Sequence, residues 1–321
     1  MRSVSSDNSA ALIAAVERQT SDPRAGIFGP NSISWKINRE SALFLGAGRA
    51  ALLQLAHPWV ATALEQHSSL MSRPIDRFHN TFRIVFTMIF GSLGQATRAA
   101  RHLYGLHTSV QGELTEDVAS YRCGAHYQAN EIAALRWVYA TLLESAVLAY
   151  EFALPPLTGE ELAAYYAESK ILAGLFGLPH EALPATWESF LIYCREMEQS
   201  SLLGVTDAAR LMGQRLMAGA GSWVRPPRWY GALTAKWLPC RFRQDFKLAF
   251  GASETASIER LSRRLPSLYQ RFPAAVRYTG PWHEAQARLA GQTPGLVPRA
   301  GNRFWIGQYR MPFADANNPF G

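Results

Sequence analysis

Apolar residues recur at three- and four-residue spacing through almost the whole chain, while alternating β-branched runs and Asn-Gly hairpin turns are absent. A chain written with that period buries helix stripes, not sheet faces, so the pattern predicts an all-α protein. Breaks in the period place the helices. Ser41 to Ala56 reads as one Ala/Leu-rich helix, stopped by "HP", and Pro58 opens the next, running to about Leu70. "MSRPID" reads as a turn, Asp76 as the N-cap of a helix from Arg77 to Phe90, and Gly91 as its end. Leu93 to Gln111 and Asn130 to Phe152 follow as helices, the first stopped by Gly112 and the second by "LPP". Thr158 and Glu161 have the spacing of a capping box, and Pro184 and Pro239 precede further helices. Roughly ten helices are predicted in all.

No internal repeat or low-complexity linker divides the 321 residues. The expected organisation is a loose N-terminal segment over 1–34, one helical domain over 35–290, and a tail over 291–321 that packs on the domain or is partly irregular. "GSWVRPPRWYG" around Trp223 reads as a surface loop. With 48% hydrophobic residues, nine Trp and sixteen Phe, the core is large enough to enclose a prosthetic group.

The net charge of +7 comes from arginines scattered along the chain, and the densest cluster, Arg260 to Arg264, is short. That favours solvated helix faces over a nucleic-acid interface, and leaves room for peripheral contact with an acidic membrane surface. Cys123, Cys194 and Cys240 fit neither a zinc pattern nor a disulfide framework, which points to a reducing, cytoplasmic setting. The N-terminus lacks the apolar run of a signal peptide. The longest apolar stretches are interrupted by Arg49, His57 or Gly91, so no membrane span of about 20 residues is expected.

Nucleophile elbows, phosphate loops and His-Glu-x-x-His pairs are missing, and "LGAGRA" lacks the third glycine and the preceding strand of a dinucleotide loop. Five of eight histidines fall between positions 57 and 107. His57 and His67 are about 15 Å apart on one helix and cannot share a metal; structural roles suit both, with His57 capping through its ring. His107 shares a helix with the inward candidates Leu93, Ala96, Ala100, Leu103, Tyr104 and Val110, and on pattern alone is either a satisfied core histidine or a metal ligand. Arg77 and Thr81 share a helix face with Ile84 and Met88. They can orient an acid group or bound oxygen over an apolar stripe, or else form a surface ion pair and a bond back to the preceding turn. His79 and Arg83 project elsewhere, into solvent. Glu144, amid apolar neighbours, needs a partner that Arg136 and Tyr139 do not supply.

Taken in order, "GAGRAALLQLAHPWVATALEQHS", the Arg-x-x-x-Thr…Phe-Gly of Arg77, Thr81, Phe90 and Gly91, the His-x-x-Val-x-Gly of His107, Val110 and Gly112, "LRWVYATLLESAVLAYE", "LPATWESFLIY" and "LPCRFRQDF" resemble the MpaB-type and latex-clearing oxygenases over about residues 35 to 285. The resemblance implies globin-like central helices around a b-type haem, with His107 as the iron ligand and Arg77 and Thr81 as catalytic residues beside it. Met88, Tyr104 and Tyr139 join them as expected cofactor contacts. It further implies dioxygen and an apolar, perhaps isoprenoid, substrate whose double bond is cleaved; the face around Ile84, Phe86 and Met88 suits such a chain. Two positions depart from the pattern. Asn80 stands where rubber oxygenases carry a lysine able to occupy the iron, which implies an open or water-filled distal side. Tyr139 stands where many relatives have a histidine, and a phenol is no second neutral base. The competing readings are a haem-binding gas sensor or carrier without turnover, and a cofactor-free helical protein that binds apolar ligands.

Overall fold

The computed structural model describes residues 2–68, 74–219 and 225–314. Among them are sixteen α-helices and one short antiparallel strand pair, so the chain is all-α. The elements are α1 (Ser6–Gln19), α2 (Ile33–Asn38), α3 (Ala47–Leu55), α4 (Pro58–His67), α5 (Pro74–Phe90) and α6 (Leu93–Ser109). Strands β1 (Gln111–Glu113) and β2 (His126–Gln128) come next, followed by α7 (Ile132–Ala153), α8 (Gly159–Leu175), α9 (Trp187–Gln199) and α10 (Asp207–Met217). Helices α11 (Arg228–Trp237), α12 (Cys240–Asp245), α13 (Ala252–Tyr269), α14 (Ala274–Arg277), α15 (Gly280–Leu289) and α16 (Leu296–Ile306) complete the order.

Helix α7 is the hub. Its first turn is capped by the Glu131 carboxylate, which accepts the Ala134 N–H, and "LPP" ends it. It is 22 residues long with a mean hydropathy of 1.4, long and apolar enough to cross a membrane, which the search for broken apolar stretches overlooked. Here it is wrapped by α2, α3, α9 and α13 as a core helix. One face of α7 is stitched to α3. The Trp137 indole donates to the Leu53 carbonyl at 2.9 Å, Gln54 donates to the Thr141 hydroxyl at 3.0 Å, and Arg49 reaches Glu144 at 2.7 Å.

Arg49, only 3% exposed, supplies the partner Glu144 needs. Its guanidinium also bonds Glu198 of α9 at 2.8 Å, the Ser145 hydroxyl at 3.1 Å and the Trp237 carbonyl at the end of α11 at 3.1 Å. Four helices therefore meet on one buried cation. "LGAGRA" thus has a packing role. A Cβ on Gly46 would come within 2.4 Å of the Ser145 carbonyl, so the chain can press against α7 only with glycine there. This close approach also explains why Ser41–Ala56 is not one helix. Ser41–Gly46 winds as a 3-10 turn and α3 starts after it.

Other expectations need correcting. The N-terminal segment is not loose: Ser5 caps α1, whose Ile13 and Val16 enter the core. Helix α5 begins at Pro74, so Asp76 lies in its first turn and does not cap it. Helix α6 ends at Ser109, because Gln111–Glu113 pairs with His126–Gln128, a ladder too short to show alternation in the sequence. Helix α4 ends at His67 with Ser68 as its extended C-cap, and residues 69–70 of its expected span, residues 71–73 of "MSRPID" and residues 221–224 of the loop at Trp223 lie outside the described residues. The Thr158–Glu161 capping box and the helices after Pro184 and Pro239 are present.

Helix α5 has two working faces. Phe78, Phe82, Phe86 and Phe90 form a ladder with successive centroids 4.6, 5.6 and 5.9 Å apart. Phe44 packs on this ladder and stacks at 3.8 Å on Trp305 of α16. Phe86 therefore does not share the face of Ile84 and Met88: two residues on a helix point nearly opposite ways. Nor are His79 and Arg83 solvated. His79 bonds the Phe304 carbonyl at 3.0 Å and Arg83 donates to the Ile306 carbonyl at 3.1 Å, satisfying the C-terminus of α16.

Removing Arg49 strands two carboxylates. Arg49→Met should cost about 3–5 kcal/mol, read as a lower urea midpoint. The Glu198 carboxyl is pushed up to about 7 by burial, against the pull of Arg49 and helped by Glu144. The folded chain then holds a proton that the unfolded chain has released, so stability falls as pH rises from 4.5 towards about 7. Glu198→Gln should flatten that slope in melts across the same pH range.

Candidate active-site recess

Helices α5 and α6 form a hairpin about Gly91–Ser92. Ser92 and Gln95 cap each other's backbone N–H groups, which fixes where α6 starts. At the closed end, Ile84 and fully buried Met88 pack with Ala96, Ala99 and Ala100 and with Ile13 and Val16 of α1. Small residues there let the helices approach closely. At the open end α5 offers Arg77 and Thr81, and α6 offers Leu103, Tyr104 and His107, all with part of their surface accessible. Leu106 is 47% exposed, and nothing approaches the Cβ direction of Gly105 within 4 Å.

Burial lowers His107 to about 4, and the nearby Arg77 guanidinium lowers it further. Burial also lowers Arg77. By accessible surface His107 is half-buried and Arg77 is exposed, so the pair stands at the open end of the hairpin. His107 is neutral at any pH well above 4, with a ring nitrogen free to coordinate. Arg77 has no carboxylate partner among the described residues, so the surface ion pair open to it from sequence is not formed. Thr81 does bond back one turn, donating to the Arg77 carbonyl at 3.1 Å. Its hydroxyl keeps only acceptor capacity in that rotamer.

The other expected contacts sort differently. Tyr104 is half-buried at the open end. Met88 has no accessible surface and stands behind the recess in the closed core. Tyr139 is buried in the α7 core, its ring 5.3 Å from Phe176 and its hydroxyl donated to the Ser169 carbonyl of α8. Asn80 is exposed. His57 does not cap α4 through its ring: the imidazole is buried against Trp59 and Tyr121, its Nδ1 without a partner.

Sequence reasoning missed the brace behind His107. The Tyr127 hydroxyl donates to Gln66 at 2.7 Å, while His67 Nε2 lies 3.1 Å from that hydroxyl and 3.2 Å from the Gln111 carbonyl. Asn130 donates to Thr108 at 2.9 Å, one residue past His107. A Cβ on Gly112 would sit 2.8 Å from both the Gln66 amide oxygen and the Tyr127 hydroxyl. The last glycine of His-x-x-Val-x-Gly therefore lets this network close over β1, and Val110 packs beside Trp59. The glycine in that block was the available signal.

Two surface cavities, ≈ 280 Å³ beside Gln19 and Glu168 and ≈ 220 Å³ beside Glu131 and Arg136, share no residue with the recess. Both fall below the usual ~300 Å³ of a small-molecule site. Among the described residues no three His, Cys, Asp or Glu side chains converge as a metal cage. A single neutral imidazole suits a metal that arrives with its other donors already in place.

Gly112→Ala should cost about 1–3 kcal/mol through overpacking. Tyr127→Phe in the same chain should recover part of that loss, a coupling visible in a double-mutant cycle of denaturant midpoints.

No curated protein and no solved structure matches this chain. The family described as ER-bound oxygenase mpaB/B'/rubber oxygenase, catalytic domain, matches residues 35–278, which takes in most of α2, all of α3 through α14, the brace and the α5–α6 hairpin. The chain belongs to the mpaB/rubber oxygenase catalytic-domain family and is, at that level, an oxygenase.

Proposed function

We propose that this oxygenase uses a b-type haem held in the α5–α6 recess and acts on an apolar, unsaturated substrate. The observation that supports the reading is the juxtaposition of a neutral, half-buried His107 with an Arg77 that has no acidic partner among the described residues. Haem would present both complements: an iron that His107 would hold, and propionates that Arg77 would pair with. Bound there, it supplies the iron chemistry that activates dioxygen for insertion into a carbon–carbon double bond.

The chain's own residues set the conditions. His107 offers a nitrogen lone pair without first losing a proton, and the Gln66–His67–Tyr127 brace fixes the segment that follows it. Arg77 brings positive charge to the open end of the hairpin, where it can pair with an anionic group. Thr81 can accept a hydrogen bond, and can donate one only by leaving the Arg77 carbonyl. Leu103, packed beside Ile84 and Met88, gives the α5–α6 face an apolar surface suited to a hydrocarbon chain. The exposed amide of Asn80 cannot bind iron as a lysine amine does, which favours an unblocked site. We read α5 to α7 as the globin-like centre around the cofactor. Three free thiols support a reducing, cytoplasmic location.

Protein expressed with a haem precursor should be red, with a Soret band that shifts on dithionite reduction. His107→Ala should lose most of the haem while its thermal melt as apoprotein matches the wild type. A colourless wild type overturns the reading. Oxygen uptake with unsaturated isoprenoids should exceed uptake without them; reversible oxygen binding alone would leave a carrier instead.

A further inference from the structure

The end of α13 and the turn into α14 form a protruding apolar corner. Phe272, Pro273, Ala274, Ala275 and Val276 are consecutive, apolar and all exposed. Leu268, one turn earlier, is 52% exposed, Phe272 48% and Val276 60%. Such runs are rare on a soluble surface unless something covers them. The corner is not a frayed end. Between its apolar residues, Tyr269 turns inward and its hydroxyl donates to Glu40 at 3.0 Å, while the Ala42 N–H donates to it at 3.1 Å. Directly after the run, Arg277 grips the same buried Glu40 with two bonds of 2.8 and 2.9 Å. The exposed residues are thus held out from a fixed base.

Charge surrounds the corner with one sign. From Arg260 to His283 the sequence has five arginines and no Asp or Glu. Arg277 is spent on Glu40, whereas Arg260, Arg263, Arg264 and Arg271 are exposed and make no ion pair among the described residues. This is the short basic cluster that sequence reading had put down to solvated helix faces. A nucleic acid would use the arginines and gain nothing from Leu268, Phe272 and Val276. The boundary between lipid headgroups and acyl chains takes both: anionic headgroups meet the guanidinium groups, and the apolar tip enters the layer beneath.

We infer that this corner docks the protein on the surface of an anionic phospholipid bilayer. The inference stands apart from the haem reading, because none of its residues lies in the recess and its test needs no cofactor. The experiment is co-sedimentation of the full chain with phosphatidylcholine vesicles, with and without phosphatidylserine. The wild type should partition at least about tenfold more strongly to the anionic vesicles, and added salt should weaken binding. Arg263→Gln with Arg264→Gln should lower partitioning about twentyfold, at about fivefold per arginine. Phe272→Ser with Val276→Ser should also release the protein at unchanged charge, and both variants should melt as the wild type does. No preference for phosphatidylserine, or serine variants that bind like the wild type, would overturn the inference. So would equal loss of binding to a DNA duplex and to vesicles in the arginine variant with none in the serine variant, the mark of a simple polyanion surface.

Discussion

Arg49 is the point on which the helices agree. A buried guanidinium has to find acceptors, and here they come from α7, α9 and α11 at once. Apolar packing alone tolerates slippage of one helix along another by a turn; a fork of charged hydrogen bonds does not. Such a cluster adds little net stability over a well-packed apolar alternative, since desolvating three charges costs about as much as their attraction returns. Its value lies in register. Once α3 is pinned to α7, the 3-10 turn is pressed on Ser145, and Phe44 is set against the phenylalanine ladder of α5.

The α5 helix passes that order on to the recess. Its ladder face, packed on Phe44 and Trp305, fixes the helix by large aromatic contacts, and His79 and Arg83 clamp α16 on the same side. The opposite face is then free to meet α6 at one end and to part from it at the other. Alanines at 96, 99 and 100 close the far end, and Leu103 and His107 follow towards the open one. A wedge between two helices is a simple way to hold a flat, apolar ligand. Rigidity here comes from contacts on the far side of α5.

The helices were legible because a period of three to four is written into nearly every segment, and capping boxes such as Thr158–Glu161 mark their starts. The site was legible only as ingredients. Helix geometry put Arg77, Thr81, Ile84 and Met88 on one face, but nothing local says that α6 folds back so that His107 meets Arg77. The partner of Glu144 was hidden for the same reason: Arg49 lies 95 residues away, joined by packing and not by period. Short features such as β1–β2 carry too few residues to stand out from loops. The brace of Gln66, His67 and Tyr127 spans 61 residues and shows itself in the sequence only through Gly112.

Position 139 illustrates how a departure from a family pattern should be weighed. A histidine there would be a base near the centre of the fold, and a tyrosine brings a hydroxyl donor to the same place. The structure gives the phenol a different task. Its proton goes to the Ser169 carbonyl, an acceptor on α8, and burial pushes the hydroxyl well above its ordinary value, so it stays protonated and bound. The ring packs on Phe176 and joins α7 to α8 as a structural tie. Tyr139 thus serves helix–helix attachment in this chain, which leaves Arg77, Thr81 and His107 as the polar side chains of the proposed site.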